Sequence, residues 1–201
     1  MYQLYFYAPY SSWSFRPWIL LKTLDIPFVE RQLPFEDKAE LHRQLAQHSP
    51  TAKVPVLQQD EQKIWDSLAI IEYIAEDYPQ VWAENKIARA WSRSACAEMH
   101  SGFPALREIC SFAPKNNTPL AAIPEELVKE LQRLNQLWKE GLTLFQGNYL
   151  AGSQFTAVDA FFAPVVGRIE TYGLQRYLDP ENLAYFQRIK SLPSYQAWLD
   201  K

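Results

Sequence analysis

The sequence predicts an α/β domain followed by a separate all-helical domain, and three observations carry that reading. Strand-like and helix-like apolar patterns alternate from residue 2 to residue 74. From residue 87 onward only helical periods recur. Between the two stretches, residues 78–84 include Pro79 and suit neither pattern. Strands alternating with helices, then helices alone, indicate two different architectures in succession. The expected division is residues 1–78 and residues 85–201, and a hydrophobic content of 48% lets both bury a core.

Each element has its own signal. Residues 2–7 are aromatic-rich and β-favouring, and Ala8-Pro9-Tyr10-Ser11-Ser12 interrupts them with loop chemistry. Residues 15–24 place Trp18, Ile19, Leu20, Leu21 and Leu24 on a buried helical face, which Asp25-Ile26-Pro27 ends. Residues 28–33 alternate again. Residues 36–47 are polar with a helical stripe at Leu41 and Leu45, and residues 54–58 favour a strand. The turn at residues 58–61 makes Lys63-Ile64-Trp65 a hairpin partner, and residues 67–74 form a helix with Leu68, Ile71 and Ile74 on one side.

In the second half, residues 87–109 and 125–145 read as long helices, the latter opened by Pro124 and acidic residues. Asn116-Asn117-Thr118-Pro119 is the loop between them. Thr156-Ala157-Val158-Asp159 has the spacing of a capping box before an apolar helix over residues 160–169.

Composition excludes several function classes. A net charge of -3 and a pI near 5.7, with Lys and Arg scattered, argue against a nucleic-acid partner. No apolar run approaches the roughly 18 residues of a membrane span, and the N-terminal residues lack the features of an export signal. A cytoplasmic protein is expected, with Cys96 and Cys110 as reduced thiols. His42, His48 and His100 lie far apart, so no metal site is expected.

Three loops concentrate polar chemistry. Ser11-Ser12-Trp13-Ser14-Phe15-Arg16-Pro17 sets three hydroxyls where a strand hands over to a helix, whose N-terminus favours an anion. Pro17 is best accommodated within the first helical turn, which makes Ser14 the expected N-cap and leaves Ser11 and Ser12 free for a ligand. Lys53-Val54-Pro55 precedes the third strand, and Asp66-Ser67 precedes the third helix. Each has an ordinary structural explanation as a cap, turn or strand start.

In combination, the order and spacing of these loops resemble the glutathione-binding set of cytosolic glutathione transferases. The serine-type classes are most similar, zeta especially, through Ser11-Ser12-Trp13-Ser14-Phe15-Arg16 and the third-helix segment Ser67-Leu68-Ala69-Ile70-Ile71-Glu72-Tyr73. The Thr156 to Asp159 box matches the same family. Two departures stand out: Trp13 occupies a cysteine position of the isomerase-type loop, and Pro17-Trp18 replaces a valine-arginine pair.

The resemblance implies a thioredoxin-like glutathione-binding domain, an all-helical domain shaping a second-substrate pocket, and a homodimer. It implies a cis bond at Pro55, turning the Val54 backbone toward glutathione's cysteinyl amide, with Lys53 beside it. Ser67 and its helix start would hold the γ-glutamyl carboxylate, and Asp66 would be available for the ammonium group. Ser11 or Ser12 would donate a hydrogen bond to the glutathione sulfur and favour its thiolate over the thiol. Tyr10 and Trp13 are expected to wall the pocket of a small electrophile. His100, Phe103 and Arg107, at i, i+3 and i+7, would add a stripe suited to an anionic or aromatic substrate. The implied activity is glutathione transfer to an electrophile, with maleylacetoacetate-type cis-trans isomerisation or a non-catalytic binding module as the alternatives.

Overall fold

A computed structural model describes residues 1–34 and 38–201 of the chain. It opens with β1 (Tyr2–Phe6), α1 (Ser12–Thr23), β2 (Phe28–Gln32), α2 (Lys38–His48), β3 (Val56–Gln59), β4 (Gln62–Trp65) and α3 (Ser67–Asp77). Six helices follow: α4 (Lys86–Ser101), α5 (Pro104–Ile109), α6 (Glu125–Phe145), α7 (Ala157–Tyr172), α8 (Pro180–Lys190) and α9 (Pro193–Leu199). The expected start of the second helix at Glu36, and the side chain of Leu41, lie outside the described residues.

The sheet runs β2-β1-β3-β4. A helical crossover joins β1 and β2, which pair parallel with Tyr2 opposite Phe28. β3, which follows α2, pairs antiparallel with β1, Leu4 opposite Leu57, and a tight turn makes β3 and β4 antiparallel, Leu57 opposite Ile64. This is an α/β domain followed by a helical one, as the patterns indicate, and its thioredoxin-like arrangement is the one the resemblance implies. Leu4, Phe6, Val56 and Leu57 are buried, so β1 and β3 form the sheet's interior.

Two helices are buried nearly all round. In α7 every residue from Ala157 to Ile169 is buried, and the helix packs on α1, α4 and α8. In α1, residues 14–21 are all buried, because the sheet and α3 lie to one side and α7 and α9 to the other. Trp198 of α9 stacks on Phe15 at 4.8 Å between ring centroids and donates from Nε1 to the Pro9 carbonyl at 2.9 Å. Thr23 and Ser194 hydroxyls lie 2.7 Å apart, and Lys201 bonds Glu30 at 2.6 Å. The helical domain thus reaches back over the sheet domain.

One expectation is corrected. Residues 87–109 form two helices, because Pro104 lacks an N–H and disfavours helical backbone at the residue before it. Phe103 takes a left-handed conformation (φ 58°, ψ 48°) and α5 starts afresh at Pro104. Helices α8 and α9 likewise begin at prolines, Pro180 and Pro193, which need no intrahelical donor at that position.

The capping box forms as its spacing requires. The Thr156 amide donates to Asp159 Oδ2 at 2.9 Å, while the Leu150 amide and the Tyr185 hydroxyl donate to Oδ1 at 3.0 and 3.1 Å. Burial nevertheless outweighs these bonds and raises the Asp159 carboxyl to about 6. The folded state therefore binds this proton more tightly than the unfolded chain, so the stability that Asp159 contributes is fullest below about pH 4 and falls as pH rises through 6. Urea unfolding of the wild type and Asp159→Asn across pH 4–8 is expected to show the difference shifting toward the variant by roughly 3 kcal/mol as pH rises.

Candidate functional site

The site is organised by the start of α1. Ser11 is the N-cap (φ -92°, ψ 98°), and its Oγ accepts the Ser14 amide at 3.2 Å. Its own hydroxyl donates to Ser14 Oγ at 3.0 Å, and Ser14 Oγ also accepts the Tyr7 amide at 3.4 Å. This corrects the expected cap at Ser14. Pro17 sits at the sixth helical position instead of the third, and Trp13's carbonyl is left without an i+4 donor. One missing helical bond is outweighed by the linked serine bonds and by burial of the preceding turn.

Neither Ser11 nor Ser12 is unengaged. Ser11 is half-buried and committed to the cap. Ser12 is 7% exposed, and its Oγ accepts from Arg168 Nη2 of α7 at 3.2 Å. Arg168 Nη1 donates to the Cys110 carbonyl, so this guanidinium ties α7, α1 and the end of α5 together.

Trp13 is the centre of a cationic cluster. The Arg16 guanidinium lies 4.4 Å from its ring centroid, Arg107 lies 4.8 Å away, and the His100 imidazole meets it edge-on at 5.2 Å. Burial lowers the Arg16 guanidinium to about 9 and that of Arg168 to about 10; neighbouring Arg107 acts in the same direction on both. Burial also lowers Arg107. All remain cations at neutral pH. The described hydrogen bonds and ion pairs give none of the three a carboxylate partner.

The helix break revises the expected stripe. His100 ends α4, whereas Arg107 belongs to α5 and folds back to donate from Nε to the Gly102 carbonyl at 3.0 Å and from Nη2 to the Met99 carbonyl. Both still converge on Trp13. Phe103, between the helices, is buried in the core cluster and does not extend the stripe. Tyr10 is 45% exposed and stands beside Tyr7, apart from the Trp13 cluster.

The Val54-Pro55 peptide bond is cis. Val54 lies just beyond the last registered pair of β1 and β3, Tyr5 opposite Val56, with an exposed Lys53 before it. Asp66 caps α3 with a positive φ of 76°, and its Oδ1 accepts the Leu68 and Ala69 amides at 2.8 and 3.3 Å. Its Oδ2 lies 2.6 Å from His100 Nε2. Helix capping thus engages one Asp66 oxygen, and α4 supplies a partner for the other. Ser67 is buried, with Oγ accepting from Arg16 Nη1 at 3.4 Å.

A cleft of about 610 Å³ opens beside Asp66 and His100, bounded by Ile64, Trp65, Leu68 and Ala69. A larger one, about 1030 Å³, lies elsewhere, between Trp82, Ala83, Arg89 and the end of α6 at Leu144 and Phe145. Both cysteines are buried, and burial pushes their thiols up, Cys110 to about 11. Neither is an activated nucleophile. Among the described residues no group of three potential metal ligands occurs, and no helix is long and apolar enough to cross a membrane.

Arg168 was missed by the sequence reading, and Arg16 entered it only as a motif position. The available signal was a charge inside the apolar run Ala160-Phe161-Phe162-Ala163-Pro164-Val165-Val166-Gly167-Arg168-Ile169, which must find partners when buried.

Comparisons with known proteins agree with this arrangement. Family models for the glutathione S-transferase N-terminal domain and C-terminal domain match residues 5–82 and 89–201. A probable maleylacetoacetate isomerase of Caenorhabditis elegans is 28% identical over 195 residues, 92% of this chain and 86% of that protein. Among solved structures, glutathione transferase F7 of Populus trichocarpa superposes with a TM-score of 0.77 at 22% identity, covering 100% of this chain and 98% of that one. A Burkholderia glutathione transferase homologue with bound glutathione gives 0.71 at 25% identity, covering 99% and 96%.

The cap assignment is open to a stability test. Ser11→Ala is expected to lower the unfolding free energy by about 1 kcal/mol, and Ser11→Gly by only a few tenths, in urea titrations followed by tryptophan fluorescence.

Proposed function

From the chain's membership of the glutathione S-transferase family, we propose that it binds glutathione and stabilises its thiolate through a serine hydroxyl for attack on a small electrophile. Residues 1–78 hold the tripeptide and residues 85–201 shape the pocket of the second substrate. The observation that carries this reading is the joint presence of three features, the serine-capped start of α1, the cis Val54-Pro55 bond and the Asp66-Ser67 start of α3, the first and last of these elements being joined by the Arg16–Ser67 hydrogen bond.

In this reading the Val54 main chain pairs with the cysteinyl residue, Ser67 takes the γ-glutamyl carboxylate, and the sulfur falls at the N-terminus of α1. Ser11 is the more accessible hydroxyl. Its oxygen accepts an amide hydrogen from the helix start, which makes its proton a better donor, and that proton turns from Ser14 Oγ toward the sulfur. Ser12, polarised by Arg168, is the second candidate. Either would lower a thiol pKa that begins near ~8.5. Trp13 and the neighbouring cations then flank the electrophile.

The similarity to the Caenorhabditis elegans protein favours glutathione-dependent isomerisation as a second reading. There the thiolate adds to a double bond and leaves again after rotation, so glutathione is regenerated. Trp13 changes the wall at a position close to the sulfur. A homodimer belongs to the same proposal, supported by Trp65, 47% exposed beside the apolar cleft.

Retention on immobilised glutathione, ultraviolet titration of the bound thiol, and turnover of electrophiles and cis-trans isomers test these readings together. The expected result is a bound-thiol pKa below ~8.5 that rises by about one unit or more in Ser11→Ala, with a smaller rise in Ser12→Ala. An unchanged value in both variants removes the serine mechanism. Binding without turnover makes the chain a binding module, and failure to bind removes both readings.

A further inference from the structure

Arg16 is 1% exposed, in the interior of α1. Its guanidinium lies between two rings, 4.4 Å from Trp13 and 4.4 Å from Phe161 of α7. Nε is buried without a hydrogen-bond partner, while Nη1 donates to Ser67 Oγ at 3.4 Å. The surrounding charges do not compensate it: Arg107 and Arg168 oppose its charge, and Asp66 favours it but is bonded to His100 and the α3 amides. A cation held this way is costly to bury unless an anion comes within reach.

One hydrogen bond leads from this cation to the start of α3. Ser67 Oγ receives Arg16's hydrogen bond, so the hydroxyl's own proton is available to the anion at the start of α3. We infer that Arg16 is a positioning residue for glutathione, acting through the Ser67 hydroxyl to hold the γ-glutamyl α-carboxylate. The inference rests on the glutathione reading above and adds the charge that this reading lacks. Stacking between two rings accounts for arginine in place of lysine, because only a planar cation presents both faces to aromatics and an edge to the serine. Since Phe161 belongs to the helical domain, that domain fixes the carboxylate's anchor without touching the tripeptide there.

The test compares calorimetric affinities for glutathione and for γ-aminobutyryl-cysteinylglycine, the same tripeptide without the glutamyl α-carboxylate. Wild type, Arg16→Gln, Arg16→Lys and Ser67→Ala are each measured near pH 7, with ligand-free melting to establish folding. Arg16→Gln is expected to weaken glutathione roughly 10- to 100-fold, Arg16→Lys by less, and neither to change the affinity of the truncated peptide. If Arg16→Gln does not fold, Arg16→Lys carries the comparison, and its loss must again be confined to glutathione. Equal losses for the two ligands make Arg16 a purely structural residue and overturn the inference, as does no loss for either. A carboxylate-dependent loss in Ser67→Ala alone leaves the site reading standing and removes Arg16's part, whereas wild type that fails to bind glutathione removes both.

Discussion

Burial of α1 on both sides is the constraint from which the rest of the molecule follows. A helix with the sheet on one side and a second helix layer on the other has no solvent face for its polar groups. Its hydroxyls and its guanidinium must therefore find partners inside. Ser11 and Ser14 bond each other, Ser12 takes Arg168, and Arg16 takes Ser67. The polar residues of α1 gather at its start, while its body from Phe15 to Leu21 is buried. The same helix carries the reactive end of the proposed site and the joint between the domains.

Electrostatics sharpen this arrangement. Arg16 and Arg107 face one indole while Arg168 lies over Phe112, and π faces, hydroxyls and carbonyl oxygens take the role usually filled by carboxylates. Such partners orient a guanidinium without neutralising it. Three cations therefore lie close enough to act on one another near the start of α1 although the chain's net charge is -3. The low pI argued against nucleic acid, and it says nothing about a local field of a few ångströms.

Much of the architecture was legible because it is local. Strand patterns, the hairpin at Lys63 to Trp65, the α6 span and the Thr156–Asp159 box depend on residues within a few positions of each other. The errors share a cause. Pro17 was weighed by its missing donor alone, whereas the tertiary packing of α1 decided where the helix begins. Apolar residues continuing past Met99 masked the break at Gly102-Phe103-Pro104, although the proline was in plain view. The contacts that engage Asp66 and Ser12 join residues 34 and 156 positions apart, and no linear pattern carries such pairings. For the proposed site, residue types and loop spacing were readable, but the partners that occupy each polar group were not.

The bond from Trp198 to the Pro9 carbonyl spans 189 positions, and the indole stacks on Phe15 beside Trp18. During synthesis, the surface of α1 that this indole covers is complete only after residue 198 has left the ribosome. Until then Phe15 and Trp18 present an aromatic face to water and to whatever binds such faces in a cell. The boundary near residue 78 divides two architectures that share one hydrophobic core.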